Sequence, residues 1–535
     1  MKYITLFFLL ISTWSFSQIP QDFEIEIEPI TISDAPGIHS FSLGIDSLGR
    51  WLVIGGRVDG LHQRQPFAAF LANDNNTNAF VIDPENEQVW STSLSSLPTS
   101  FFEQLQSTNQ QFFQRGNQLY VIGGYGYSPT VDDHITYSYL TAIDVNGATN
   151  AIINGESITT FFRQISHPKM AVTGGYVGYL DSVFYLAGGQ YFEGRYNPMG
   201  PNHGPGFIQE YTDAIRKFKV EDNGINLSIV DFSEEVDADN LHRRDYNMVP
   251  QFFPNGDQGF TMFSGVFQHD VDLPFLNSVD VFPSGYIVNN NFNQYLSQYH
   301  SARLPIFDEE NNTMHTVFFG GMSQFTLSAN GNLVEDENVP FVKTISRVTR
   351  FSDGAMEEVK LDIEMPTLVG SGAEFIPHLG ASFLSSEILD LNDINQQKTL
   401  VGYIYGGIQS TQGNIFFIND GTQSFASNVI FKVFVKKITT NTKDLKVKDD
   451  NVFKISIYPN PTDSQVVIEY FNPNKDKVKM ELFDGSGKII KTIYEGVISA
   501  GSQKVLLEMP DLADGMYFIS VENKKYKNVK TIFIE

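Results

Sequence analysis

Leu119-Tyr120-Val121-Ile122-Gly123-Gly124 is an uncharged apolar run closed by two glycines, and its reading decides the fold. The same phrase stands at Trp51-Leu52-Val53-Ile54-Gly55-Gly56, Val183-Phe184-Tyr185-Leu186-Ala187-Gly188-Gly189, Thr316-Val317-Phe318-Phe319-Gly320-Gly321 and Tyr403-Ile404-Tyr405-Gly406-Gly407. A worn copy, Phe260-Thr261-Met262-Phe263-Ser264-Gly265, fills the one long gap. Short runs of β-branched, aromatic and long apolar residues fit a strand buried on both faces, although a buried helical segment can have the same composition. The glycines separate the two readings. Inside a helix the pair costs about 2 kcal/mol, whereas a strand that turns sharply against a neighbouring backbone needs it. Recurrence of one phrase predicts repeated copies of one supersecondary unit.

Behind most of the glycine pairs, after a variable loop, comes a further strand pattern: Ala79–Asp83, Tyr139–Asp144, Ile215–Val220, Ile345–Phe351 and Val429–Phe434. Ahead of each pair lies an earlier strand, often opened by histidine. The unit is therefore a four-stranded antiparallel meander, and six such sheets around an axis bury one another's faces as a β-propeller. Phe23–Ile32 alternates strictly and is expected to supply the outer strand of the last unit, so that both ends of the domain clasp the ring and leave only short edges.

The phrase and its context, from Gln21 to Ile438, resemble the kelch family. The expected fold class is all-β: a six-bladed kelch-type β-propeller followed by a small C-terminal β-sandwich. The repeats are longer than the roughly 50 residues of a minimal kelch unit, the excess lying in the loops behind the glycines. The chain departs from the family pattern in two ways. The tryptophan expected late in each blade occurs only as Trp90, and the fourth unit has lost its first glycine. Copper-radical oxidases that share this kind of propeller need a cysteine cross-link, and the chain has no cysteine, which excludes that activity. Disulfides and thiolate metal sites are excluded with it.

Residues 1–17 read as a signal peptide, with Lys2, the apolar Leu6–Ile11 and a small-residue cleavage site before Gln18. No later run is long and apolar enough to be expected to span a bilayer as a helix. The propeller is expected over 18–440, a polar linker over 441–451, and a second all-β domain over 452–535. This last segment resembles the type A C-terminal sorting domain of the type IX secretion system of Bacteroidetes. The resemblance is carried by Tyr458-Pro459-Asn460-Pro461, the turn around Gly485 and Gly487, the Gly515-Met516-Tyr517 stretch and Lys530. It implies the secretion machinery as a partner and a secreted or cell-surface destination. Residues 452–535 balance 11 lysines with 11 acids, and the linker is balanced as well, so the net charge of −26 belongs to residues 1–440. Such a surface repels nucleic acid, and no nucleic-acid partner is expected.

In a meander, the start of the first strand and the end of the second share one face of the ring. His39, His167, His242, His300 and His378 are expected near first-strand starts, with Asn109 or Gln110 in their place in the second unit. Arg57, Arg64 and Arg195 follow glycine pairs, and Arg243, Arg244 and Arg303 flank the histidines. Imidazoles and forked guanidiniums at a pore mouth suit a polar or acidic ligand, such as a carboxylate or a sulfated sugar. The same residues equally suit hydrogen bonds and ion pairs between neighbouring blades. Ligands from blades set around an axis rarely converge to metal-binding distance, and neither Asn73–Asn78 nor Asp308–Asn312 has an EF-hand pattern, so no metal or cofactor is expected. The loop Gln190–Asp213 sets Tyr191, Phe192, Tyr196, Phe207 and Tyr211 among glycines and prolines, which suits a sugar- or protein-binding platform or a packing lid. Recognition of a protein or glycan is the leading expectation. A carbohydrate-acting enzyme of sugar-acid mutarotase or lyase type, using the arginines and histidines, and a structural adhesin spacer are the alternatives.

Overall fold

The computed structural model describes residues 22–438 except 386, residues 445–446, and 455–534 except 459, 463–464, 473–474, 485–487, 500, 509–511, 514 and 525–526. The signal peptide, most of the linker, Pro459, Gly485 and Gly487 therefore lie outside the described residues. The chain divides into two compact units, with the boundary between Val447 and Lys448. Both are nearly all β. The α-helices among the described residues are Thr99–Leu105 and Val145–Asn154.

In the first unit the glycine-ended strand is the second of each sheet. The first sheet runs Ser42–Ile45, Trp51–Ile54, Asn78–Asp83, Gln88–Ser93. The second is Gln111–Arg115, Gln118–Ile122, Tyr139–Asp144, Phe162–Ser166, and the third Tyr176–Leu180, Val183–Ala187, Ala214–Asp222, Leu227–Val236. Asn247–Phe252, Gln258–Phe263, Ser278–Phe282 and Gly285–Asn289 make the fourth. The fifth is built on Ala302–Asp308, Thr313–Phe319, Thr344–Arg350 and Met356–Glu364. The sixth takes Leu368–Pro377, Thr399–Ser410 and Ile430–Lys437 and is completed by Phe23–Ile30, paired from Phe23 opposite Lys437 to Ile30 opposite Ile430. Strands from the two ends of the unit thus share a sheet. Alternation along that first strand puts Phe23 and Ile25 into a core with Val433, Val435 and Leu361.

From the first sheet to the sixth, each sheet's first strand packs on the first strand of the next. The sixth sheet returns to the first through a cluster of Leu43, Trp51, Ile376 and Tyr403, in which Trp51 meets Tyr403 edge-on at 5.1 Å.

The glycine pairs work between sheets. Gly123 has φ +64°, and a Cβ there would lie 2.0 Å from the carbonyl oxygen of Val172, at the entry to the third sheet. That close approach lets the Gly124 amide donate to the same oxygen at 2.9 Å. The second glycine of every pair repeats this bond, ending with Gly407 donating to Ile38 of the first unit at 2.9 Å. In the worn copy Ser264 still holds φ +56°, so the conformation outlives the residue that favours it.

A second set of bonds closes on itself. The amides of Ser40, Asn109, Gly174, Asp245, His300 and Gly372 each donate to the carbonyl of another member, at 2.7 to 3.2 Å, and the sixth bond returns to the first residue. Ser40, Asn109, Gly174, Asp245 and His300 stand just before the first strands of five different sheets, and Gly372 lies within the first strand of the sixth.

The second unit has two sheets. Ile455–Tyr458, Gln465–Asn472 and Gly501–Glu508 form one, and Ile489–Ile498, Asp476–Phe483, Gly515–Glu522 and Lys527–Ile534 the other. Val466 and Ile468 from the first share a single core with Met480, Leu482, Ile519 and Ile532 from the second.

Candidate functional site

Above the closed ring of amides lies a cavity of about 620 Å³, and all six ring residues line it. The ring is its floor. Its walls are the loops that follow the glycine pairs, because those loops leave the sheets at the end where the first strands begin.

On one wall, Arg57 is held by mutual backbone hydrogen bonds with His39 at 3.0 Å. Its guanidinium forks onto Asp59, with Nε donating to Oδ1 at 2.8 Å and Nη2 to Oδ2 at 2.7 Å, while Nη1 donates to Asn75 Oδ1 at 2.9 Å. Burial alone would raise the Asp59 pKa. The hydrogen bonds from His39 and Arg57 outweigh it and hold the carboxyl at about 2. The opposite wall carries Arg244, whose Nη1 donates to Asp245 Oδ2 at 2.7 Å and whose Nε donates to the Tyr211 hydroxyl at 2.9 Å. Tyr211 stacks on His242 at 3.7 Å, and His242 meets His269 at a tilt, 3.9 Å away. His242 bonds Asp213 at 2.7 Å, yet burial, helped by His269 and Arg244, pulls its pKa below the ordinary value.

The roof is aromatic. His62 stacks on Phe70 at 4.7 Å and meets Tyr196 and Phe416 edge-on at 5.3 and 6.0 Å. Burial lowers its pKa as well. Arg64 lies over Phe417 at 4.6 Å, tying the loop after the first glycine pair to the loop after the sixth.

Of the histidines and arginines singled out in the sequence, His39, Arg57, His242, Arg244 and His300 line this cavity. The others do not. Arg243 is fully buried and donates to the carbonyls of Asn240, Ser264 and Asn277, so it braces a loop. Its neighbour Arg244 is the one that faces the cavity. Arg195 donates to His134 Nδ1 and the Pro66 carbonyl, linking two loops. Arg303 sits on its strand over the Tyr176 ring, 3.6 Å from Glu374 and 3.9 Å from Glu387. Two placements need correction. His167 follows the outer strand Phe162–Ser166 rather than opening the next sheet, and packs on Phe232 at 5.4 Å. His378 stands at the end of Leu368–Pro377, beside Glu85 at 3.5 Å, because that strand begins ten residues before it. Gly372 supplies the sixth sheet's member of the amide ring.

Below the floor, His300 Nε2 meets Glu374 at 2.9 Å. Burial opposes charge on the imidazole, but Glu374 and Asp245 prevail and raise its pKa above the ordinary histidine value. A void of about 20 Å³ beside this pair has room for one water.

Sequence reasoning missed the roof. His62, Phe70, Phe416 and Phe417 lie in loops behind the first and sixth glycine pairs, and the available signal was aromatic residues in those loops, which was sought only in Gln190–Asp213. That loop does contribute: Gln190–Gly194 pairs with Phe207–Tyr211, bringing Phe192, Tyr196 and Tyr211 to the cavity. Among the described residues no group of three or more His, Asp or Glu side chains is placed to hold a metal ion.

In the second unit, Asn460 clamps the last strand, its Nδ2 donating to the Thr531 carbonyl at 3.0 Å and its Oδ1 accepting from the Phe533 amide at 2.8 Å. Tyr458 donates to Glu469 at 2.9 Å, Tyr517 donates to the Ala513 carbonyl at 2.8 Å, and Lys530 is exposed.

Residues 456–535 match the family described as Secretion system C-terminal sorting domain. The chain therefore carries the mark of a protein exported by the type IX system, destined for secretion or the cell surface. No helix among the described residues is long and apolar enough to cross a membrane. A comparison with curated proteins finds no match. Among solved structures, that of YjhT is 11% identical with a TM-score of 0.41, covering 75% of this chain and 98% of its own. A fungal alcohol oxidase of the AA5 family, in complex with copper, is 8% identical with a TM-score of 0.37, covering 96% of this chain and 100% of its own.

Proposed function

We propose that the first unit is a six-bladed kelch-type β-propeller that recognises a glycan through its loop-face cavity. In this reading residues 1–17 are a signal peptide, 18–440 the propeller, 441–451 a linker, and 452–535 a sandwich-like sorting domain read by the type IX machinery of a Bacteroidetes cell. The observation that carries the proposal is the cavity itself: aromatic rings stand over a floor and walls rich in fixed hydrogen-bonding groups. Sugars need both, since their C–H faces pack on aromatic rings while their hydroxyls need placed donors and acceptors. A spacer has no use for such a cavity. The mutarotase or lyase alternative draws on the arginines and histidines of the mouth, of which Arg243 and Arg303 are occupied elsewhere while His39, Arg57, His242 and Arg244 line the cavity. A protein partner engaging the same loops is an outcome the test separates.

The test is a glycan array probed with the mature chain, residues 18–535, beside Tyr211→Ala and Phe416→Ala. Binding to a defined glycan set that falls on the order of tenfold in either variant is expected. An array with no bound glycan overturns the glycan reading and leaves the protein-partner reading.

A further inference from the structure

The cavity's charges are cancelled from within. Every nitrogen of the Arg57 guanidinium is engaged: Nε and Nη2 by Asp59, Nη1 by Asn75. Arg244 is matched by Asp245. Two more carboxylates, Asp272 and Glu337, line the cavity and are exposed, against no further arginine or lysine in its lining. Of the imidazoles in the lining, His62 and His242 are held below their ordinary pKa by burial, while His300, whose pKa is raised, is matched by Glu374 at 2.9 Å. An anionic ligand would meet two neutralised arginines, an excess of carboxylate and a unit that carries the whole net charge of −26. For an uncharged polyol the same groups are well suited. The Arg244–Asp245 pair in the lining sets a donor edge beside an acceptor edge, which matches two neighbouring hydroxyls, and the amides Gln190 and Gln209, bonded to one another at 2.7 Å, add fixed partners.

The second observation is the floor. The six amide bonds encircle the axis at that level, and the void beneath them, about 20 Å³, has room for a water and not for a polymer chain.

On the basis of the glycan reading above, we infer that the cavity takes the terminal residues of an uncharged oligosaccharide, entering end-on, and discriminates against sugars that carry carboxylate or sulfate. The arginines that suggested an acidic ligand are structural supports for its neutral selectivity.

The experiment measures binding of the mature chain to neutral oligosaccharides of six units (glucans, mannans, galactans, xylans) and to uronate and sulfated chains of equal length. Neutral chains are expected to bind, with affinity changing less than about twofold between roughly 50 and 500 mM salt. The charged chains are expected to bind at least about tenfold more weakly. The exposed pair Asp272→Asn and Glu337→Gln, changed together, is expected to narrow that gap. Each bound neutral chain is then immobilised through its reducing end in one arm and its non-reducing end in the other, and one arm is expected to lose binding. Tighter binding of a charged chain overturns the neutral selectivity while leaving the glycan reading intact. Equal binding in both arms overturns end-on entry. Binding to neither class overturns the glycan reading together with the inference.

Discussion

At the scale of single residues, one conformation is used for two different ends. Gly123 and Gly116 both have positive φ, +64° and +58°. A Cβ on Gly123 would collide with a backbone carbonyl, whereas one on Gly116 would meet nothing within 4 Å. Gly116→Ala is therefore expected to cost about 1 kcal/mol, the conformational term alone. Gly123→Ala is expected to cost on the order of 3 kcal/mol or more, because the sheets must part. Urea unfolding midpoints of the two variants check the difference. A second residue ties stability to pH. Glu358 is buried, and burial pushes its carboxyl up to about 8 even though it accepts hydrogen bonds from the Tyr295 and Leu296 amides. Between the ordinary glutamate pKa and that value the folded state holds a proton that the unfolded chain has lost. Stability from this group therefore falls as pH rises, by roughly 1 kcal/mol per pH unit. Glu358→Gln is expected to flatten the denaturation midpoint between pH 5 and 8 and to exceed the parent at pH 8. A parallel pair of curves would refute the assignment.

At the scale of elements, the second strands were legible because everything that makes them is local: a doubly buried run and the glycines that let it approach the next sheet. The first strands were less so. Arg243 and Arg244 are adjacent, and one braces a loop while the other faces the cavity; choosing between them requires a phase that no periodicity supplies across an irregular entry segment. In the sixth sheet Gly370-Ser371-Gly372 interrupts the apolar pattern, which hides a strand running from Leu368 to Pro377 and moved the expected start to His378. The roof escaped for another reason. Phe70 and Phe416 are far apart in sequence and meet only through His62, and contacts between loops leave no local trace. The strand Phe23–Ile30 was readable from its alternation, and its two faces are expected to answer differently. Phe23→Ala removes a ring that is 1% exposed and packs edge-on to His315, and is expected to cost on the order of 3 kcal/mol. Glu26→Ala loses a surface ion pair with Lys398 and is expected to stay within about 1 kcal/mol. Thermal denaturation of both variants distinguishes the faces.

At the scale of the molecule, charge and address are divided between the units. The acidic first unit contains the cavity, and the charge-balanced second unit carries the sorting signal. Removing residues 456–535 is expected to leave ligand binding by the first unit unchanged while holding the protein inside the cell envelope. Fractionation of the producing cells, with binding measured on the retained material, checks both halves. Loss of binding on truncation would show that the second unit shapes the site.

The sheet shared by residues 23–30 and 430–437 makes the order of the first unit's chain almost arbitrary. The Ile438 amide donates to the Asp22 carbonyl at 3.0 Å, so the points where the chain enters and leaves that sheet are already neighbours. A short peptide could join them, and new termini could be opened in the loop behind any glycine pair, giving a circularly permuted molecule with the same neighbours throughout. What is particular to the natural order is the seam. The segment made first waits for the segment made last, and until the two meet, one sheet of the six keeps an open edge.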